Sequence, residues 1–247
     1  MAWTEVQGKF AYTSTSSGGA PTSISITLNS APVAEHLVCV GMEVDFALTI
    51  TLTNLLIKDS NNNPYTITPT SPLVNATVAP KIYIFLGYLV APANASATIN
   101  ASWTLVNNSA GGEATIFVEE FVLPTGTAYP LLDKDSAGTG TTGTTINTPS
   151  ITPANSGELL FAYSIAYSVI TAPTAGGSLG GWTGSAAGIE PNSGSMAEYI
   201  LNSGTSSTAV DFTQTTSDGW SCMAMGFYSS SPNYIIDDYG MTISFGR

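Results

Sequence analysis

Gly157-Glu-Leu-Leu-Phe-Ala-Tyr-Ser-Ile-Ala-Tyr167 is the stretch that most limits what this chain can fold into. It is a run of aliphatic and aromatic residues with hardly a polar break, entered through the turn-forming Pro153-Ala-Asn-Ser-Gly157. A short apolar run bounded in this way reads as a β-strand covered on both faces. Such a strand needs neighbours on either side and protein layers above and below.

A near-copy lies upstream, Ala31-Pro-Val-Ala-Glu35-His-Leu-Val-Cys-Val-Gly-Met-Glu43, with the same order of proline, polar turn and apolar run. Each copy is followed by a loop-rich stretch and a tyrosine-containing strand, Lys81–Leu86 or Met196–Leu201. An alternating strand comes next, Thr98–Thr104 or Ala209–Thr215, and then a strand closing on phenylalanine, Gly112–Phe121 or Gly219–Phe227. This order reads as a diverged internal duplication, although two strand-rich stretches of shared composition would look similar. The expected fold is all-β: a jelly-roll-like β-sandwich built from two diverged repeats that share a core, with an apolar C-terminal extension. Two separate sandwiches is the alternative. Boundaries are expected at an N-terminal segment 1–21, a sandwich 22–229 with halves 22–130 and 131–229, and a C-terminal tail 230–247.

Composition supports the class. Only 9% of the residues are charged, against 43% hydrophobic, with 24 glycines and 14 prolines, so long amphipathic helices are not expected. Seventeen acidic residues against five basic ones leave a net charge of −12, and Lys and Arg nowhere cluster. Nothing in that pattern can neutralise a phosphate backbone, so nucleic acid is not an expected partner. No basic amphipathic segment and no spanning-length apolar run points to a membrane. The start, Met1 to Lys9, carries no basic leader followed by an apolar stretch, so secretory export is not expected. Cys39 and Cys222 both lie in apolar runs and read as buried free thiols, though pairing of the halves could make them neighbours.

Asp59-Ser-Asn-Asn-Asn-Pro-Tyr65 is the sharpest turn signal, because Asx side chains cap their own backbone. Together with Thr66 it resembles the Asp-Ser-x-Gly-Asn-x-Tyr-x turn of Thr/Ser-rich β-sandwich proteins of phage particles and bacterial surfaces. Those proteins also carry a Gly-Asp-Leu-Leu-Val strand, matched here by Gly157-Glu-Leu-Leu-Phe161. Glu119-Glu-Phe-Val122 and Pro130-Leu-Leu-Asp133 stand, more loosely, where that group has Glu-Tyr-Ser-Gly and Pro-Leu-Asp. The resemblance spans Thr22 to Phe227 and implies a capsid-decoration or other virion structural setting. Its motifs are turn and core residues, so it implies no chemistry.

Few residues are placed for catalysis. His36, at the turn into the first apolar run, is the one histidine and reads as a structural or exposed polar residue, because a catalytic base needs a nucleophile and an orienting acid placed around it. The acid pairs Glu119/Glu120, Asp133/Asp135 and Asp237/Asp238 are the remaining candidates for hydrolysis or calcium binding, but neighbours on a strand face opposite ways. They read as solvated or interface charges. No catalytic residue, metal site or cofactor is expected. Among the tryptophans, Trp182 lies between Gly180-Gly181 and Gly184 and reads as exposed, a site for a glycan face. Seven large apolar residues crowd the tail: Tyr234, Ile235, Ile236, Tyr239, Met241, Ile243 and Phe245. With Trp3 and Phe10 they form the expected contact surface. The expectation for function is therefore a non-enzymatic virion protein, a phage capsid decoration protein made in the host cytoplasm and carried on the particle surface. Its expected partners are sister subunits, in a homo-oligomer such as a trimer, and the capsid. A carbohydrate- or receptor-binding module of a phage tail or cell surface is the alternative.

Overall fold

The computed structural model describes residues 3–76, 80–108, 110–123 and 129–229, together with the backbone of 234–236 and 242–244. All regular structure among them is strand. The first half contains β1 (Thr4–Thr15), β2 (Ser23–Thr27), β3 (Leu37–Phe46), β4 (Thr51–Asp59), β5 (Thr66–Ile67), β6 (Leu73–Asn75), β7 (Lys81–Val90), β8 (Thr98–Val106) and β9 (Gly112–Val122). The second contains β10 (Pro130–Gly140), β11 (Thr145–Ile146), β12 (Ser150–Ile151), β13 (Glu158–Ala166), β14 (Ile170–Ala172), β15 (Ser178–Leu179), β16 (Trp182–Gly184), β17 (Ser195–Ser203), β18 (Thr208–Ala209), β19 (Phe212–Gln214) and β20 (Trp220–Ser229). A hairpin of β21 (Tyr234–Ile236) and β22 (Thr242–Ser244) follows.

In the first half a large sheet in the order β1-β9-β3-β7-β5, with β6 also on β7, stands against β2-β8-β4. In the second, β10-β20-β13-β17-β16-β15 stands against the small sheets β11-β19-β14 and β12-β18. The order of pairings is the same: β10, β20, β13 and β17 take the places of β1, β9, β3 and β7, all antiparallel. The stretches that match in sequence occupy matching places, Leu37–Met42 in β3 with Leu159–Ile165 in β13, and Lys81–Leu86 in β7 with Met196–Leu201 in β17.

Three apolar cores separate the layers. Val38, Val40, Met42, Val44 and Phe46 of β3 meet Ile24, Ile26, Leu52, Ile57 and Ile99 inside the first sandwich. Leu160 and Ala162 of β13 meet Ile146, Ile151, Trp182, Phe212 and Cys222 inside the second. The third core is the seam between the sandwiches, where Leu37, Cys39, Ile84, Phe117 and Phe121 pack on Leu159, Phe161, Tyr163, Met223, Met225 and Phe227. The two large sheets therefore lie back to back. Because successive residues of a strand face opposite ways, β3 and β13 each feed one core on either side, which is why every residue of both is buried. The all-β sandwich expectation is met, while the expected one sandwich with a shared core becomes two sandwiches, each with its own core, joined through the seam.

The N-terminal boundary moves. Thr4 to Thr15 pairs with β9 along its length, from Thr4 with Val122 to Thr15 with Gly112, so residues expected to form a separate segment are the edge strand of the first sandwich. Hydrogen bonds cross the seam as well. Trp3 Nε1 donates to Gly157 O at 3.1 Å, Thr115 Oγ1 to Ser193 Oγ at 2.9 Å, Tyr167 OH to Pro80 O at 2.9 Å and Tyr199 OH to Glu5 Oε2 at 2.7 Å. Gly41 shows how close the approach is: a Cβ there would lie 2.5 Å from the Tyr163 ring.

Candidate functional site

Among the described residues, buried ionisable groups gather in the seam. On β3 its face is formed by Leu37, Cys39, Gly41, Glu43 and Asp45, so two acids continue an apolar row. Glu43 is fully buried, and neither of its carboxyl oxygens has a hydrogen-bond partner among the described residues. Thr115, its cross-strand neighbour, gives its hydroxyl to Ser193 instead. Asp45 Oδ1 accepts the Glu113 backbone N–H at 3.0 Å, and Glu113 Oε2 accepts the Tyr12 hydroxyl at 2.6 Å. Glu190, also buried, accepts the Ser193 N–H at 2.5 Å and the Asn192 side-chain N–H at 2.6 Å.

Burial pushes the Glu43 carboxyl well above the usual range, the charges of Asp45 and Glu113 push it further, and the neighbouring Thr115 hydroxyl only partly opposes them. Asp45 is raised to about 7 by burial and by Glu113, against the pull of the Glu113 N–H. Glu113 is raised by burial, with the Tyr12 hydroxyl opposing. Along β9, Glu119 lies in the same seam: Ser185 Oγ donates to it, and burial and then Glu5 push its carboxyl well up. Asp45 and Glu113 open onto a shallow groove of about 550 Å3 whose walls include Tyr12, Ser14 and Gly112. None of its described lining residues is a histidine, cysteine or lysine. Among the described residues no three His, Cys, Asp or Glu side chains are placed to hold a metal ion. What this arrangement can do chemically is keep protons on Glu43, Asp45, Glu113 and Glu119 at a pH where exposed carboxyls have lost theirs.

Glu120 points the other way, into the first sandwich. It accepts Gln7 Nε2 at 2.5 Å, the Val33 N–H at 2.9 Å and bonds His36 Nδ1 at 2.6 Å, so the histidine ties a loop to a buried carboxyl. Glu119 and Glu120 thus face opposite sides as expected for strand neighbours. Both are fully buried, however, which corrects the expectation of solvated or interface charge: β9 is an interior strand with a layer on each face. Asp133 accepts the Ala154 N–H at 2.9 Å, and Asp135 accepts the Thr70 N–H at 2.6 Å, stitching the second half to the first. Asp237 and Asp238 lie outside the described residues. Asp59 behaves as the turn reading requires, accepting the N–H groups of Asn61 and Asn63, each at 2.9 Å, and of Ser96 at 2.7 Å.

The residues expected to form contact surfaces are dispersed. Trp3 is buried in the seam. Phe10 stacks on Phe117 with ring centroids 5.2 Å apart. Their apolar area is used inside the molecule, because β1 is a sheet strand and not a free segment. Trp182 is fully buried in the second sandwich, donating from Nε1 to Ala209 O at 2.6 Å. Its expected exposure is corrected: Gly180 and Gly181, both at positive φ, make the tight β15–β16 turn that tucks the indole inward. Tyr234, Ile235, Ile236 and Ile243 belong to the β21–β22 hairpin, paired Tyr234 with Ser244 and Ile235 with Ile243. Tyr239, Met241 and Phe245 lie outside the described residues.

Glu43, Asp45, Glu113 and Glu190 were not legible as a group from the order of residues. One signal was present: Glu43 and Asp45 stand two apart in an otherwise apolar strand, which puts both on one buried face. Comparison with protein-family models and with curated sequences gives no match. Among the described residues no helix is long and apolar enough to cross a membrane.

Proposed function

We propose that this chain is a non-enzymatic virion structural protein, a phage capsid decoration protein on the particle surface that binds sister subunits and the capsid. The observation that carries this reading is the strand order. The order β1-β9-β3-β7 opposed to β2-β8-β4, with β10-β20-β13-β17 in the second half, supports a jelly-roll reading of the two β-sandwiches. Double-sheet jelly rolls occur as viral capsid domains and as lectin domains, the two settings weighed for this chain. Beyond the sandwiches, β21 and β22 form a sheet of their own that belongs to neither. An isolated two-stranded hairpin is marginal in water, so a surface to pack on would stabilise it. Its sequence is apolar enough for that role, and burying such side chains is worth several kcal/mol at roughly 25 cal/mol per Å2 before ordering costs are subtracted. Closed symmetric assembly is the usual outcome of a contact of this kind, and a trimer is the proposed stoichiometry. The glycan-binding alternative rested on Trp182, whose burial leaves it without its named platform.

Truncation after Ser231 tests the reading. Light scattering should find a folded truncated chain that has lost the oligomer formed by the full-length chain, and electron microscopy should find it no longer on particles. A truncated chain that unfolds, beside a full-length chain that stays monomeric at high concentration, would make the hairpin a part of the fold and overturn the proposal.

A further inference from the structure

The middle core differs from an ordinary apolar contact in carrying acids with no bases among the described residues. Glu43 and Asp45 enter it from β3, and Glu113 and Glu119 from β9, in rows otherwise made of Leu37, Cys39, Phe117 and Phe121. Facing the Glu43 end are Tyr163 from β13, Tyr167 just beyond it, Glu190 and Ser193 from the segment before β17, and Tyr12 from β1. Facing Glu119 are Glu5 and Tyr199, with Ser185 and the Cys39 thiol. The ammonium groups are committed elsewhere: Lys9 to Thr27 O at 3.1 Å, Lys58 to Asn62 Oδ1 at 2.8 Å and Lys81 to Ile50 O at 3.3 Å, while Lys134 lies toward Glu158. At Glu43 and Glu119, both fully buried, an ionised carboxylate is a buried charge with no counter-charge among the described residues, and neither Glu43 oxygen has a hydrogen-bond partner among them.

We infer that the seam is closed by protons: in mildly acidic solution Glu43, Asp45, Glu113 and Glu119 are neutral and the two sandwiches stay packed, and their ionisation as pH rises parts the sandwiches while each keeps its own core. The direction follows from linkage. A carboxyl that holds its proton more tightly when packed than when open stabilises the packed state at low pH, and that contribution is lost as pH climbs through its packed-state value. The inference concerns the seam alone and does not depend on where the molecule resides.

The two thiols provide the test, since both are free and fully buried but sit in different cores. Cys39 is in the seam, and Cys222 is inside the second sandwich. Seam opening exposes Cys39 alone, whereas unfolding exposes both. The full-length chain is treated with methyl methanethiosulfonate across a pH series, and modification at each cysteine is read by peptide mass spectrometry. Rates are divided by those of the urea-unfolded chain at the same pH, which removes the thiols' own titration. The Cys39 rate should rise about tenfold or more between about pH 5 and pH 8 with Cys222 unchanged. Glu43→Gln should flatten most of that rise, and Glu198→Gln, buried within the second sandwich, should leave it in place. If Glu43→Gln does not fold, Glu113→Gln at the groove is read in the same way. The inference is overturned if both thiols react in parallel at every pH, or if the substitution that folds leaves the Cys39 profile unchanged. It is overturned equally if millimolar Ca2+ or Mg2+ keeps Cys39 protected at the alkaline end, which would assign the acids to a cation.

Discussion

Asp59 and Glu43 are both buried carboxyls, yet they couple stability to pH in opposite senses. Burial alone would raise Asp59, but the side chain and N–H of Asn63, with the N–H groups of Ser96 and Asn61, outweigh it and hold the carboxyl below its usual value. Its contribution is therefore present above the ordinary carboxylate range and lost as pH falls through the lowered value. Glu43 has the burial and no such set of N–H donors, and its contribution runs the other way. Asp59→Ala should cost about 1–2 kcal/mol in urea denaturation at neutral pH, since three backbone N–H groups lose a charged acceptor, and the difference from the parent chain should shrink in strong acid. The turn at Asp59 was legible because an Asx turn is satisfied within a few residues of itself. The Glu43 environment was not, because its neighbours come from β9, β13 and the segment before β17, far apart in the chain.

At the scale of single elements, β13 shows how one strand serves two cores. Leu159, Phe161, Tyr163 and Ile165 go to the seam, and Leu160 and Ala162 to the second sandwich. Phe161 meets the Phe121 ring edge-on across the seam at 6.4 Å. Phe161→Ala should cost about 3–5 kcal/mol by chemical denaturation, as expected where a packed ring leaves a cavity. It should also raise Cys39 reactivity, whereas Leu160→Ala, at about 2–5 kcal/mol, should destabilise without that selective effect. Strand alternation foretells which residues part company in such an element. It does not foretell the turn chemistry beside it, and Trp182 is the example: flanking glycines suit an exposed loop and a tight inward-folding hairpin equally well.

On the scale of the whole molecule, the seam makes the two sandwiches one cooperative body for as long as it stays closed. Calorimetry should show a single unfolding transition in mild acid and separate transitions for the two halves above neutral pH, because ionisation weakens the shared core and leaves the other two intact. A single transition at every pH would mean that the sandwiches never part. By itself the sequence determined the all-strand class, the turn at Asp59 and the double burial of β3 and β13, because each is written in local periodicity and turn chemistry. Only the tertiary structure decided what covers the second face of those strands, that β1 closes the first sheet, and that acids spread along the chain from Glu43 to Glu190 meet in one seam. Period-two alternation says that two faces differ. Which layer lies on each is a matter of long-range packing, and no short stretch of chain records it.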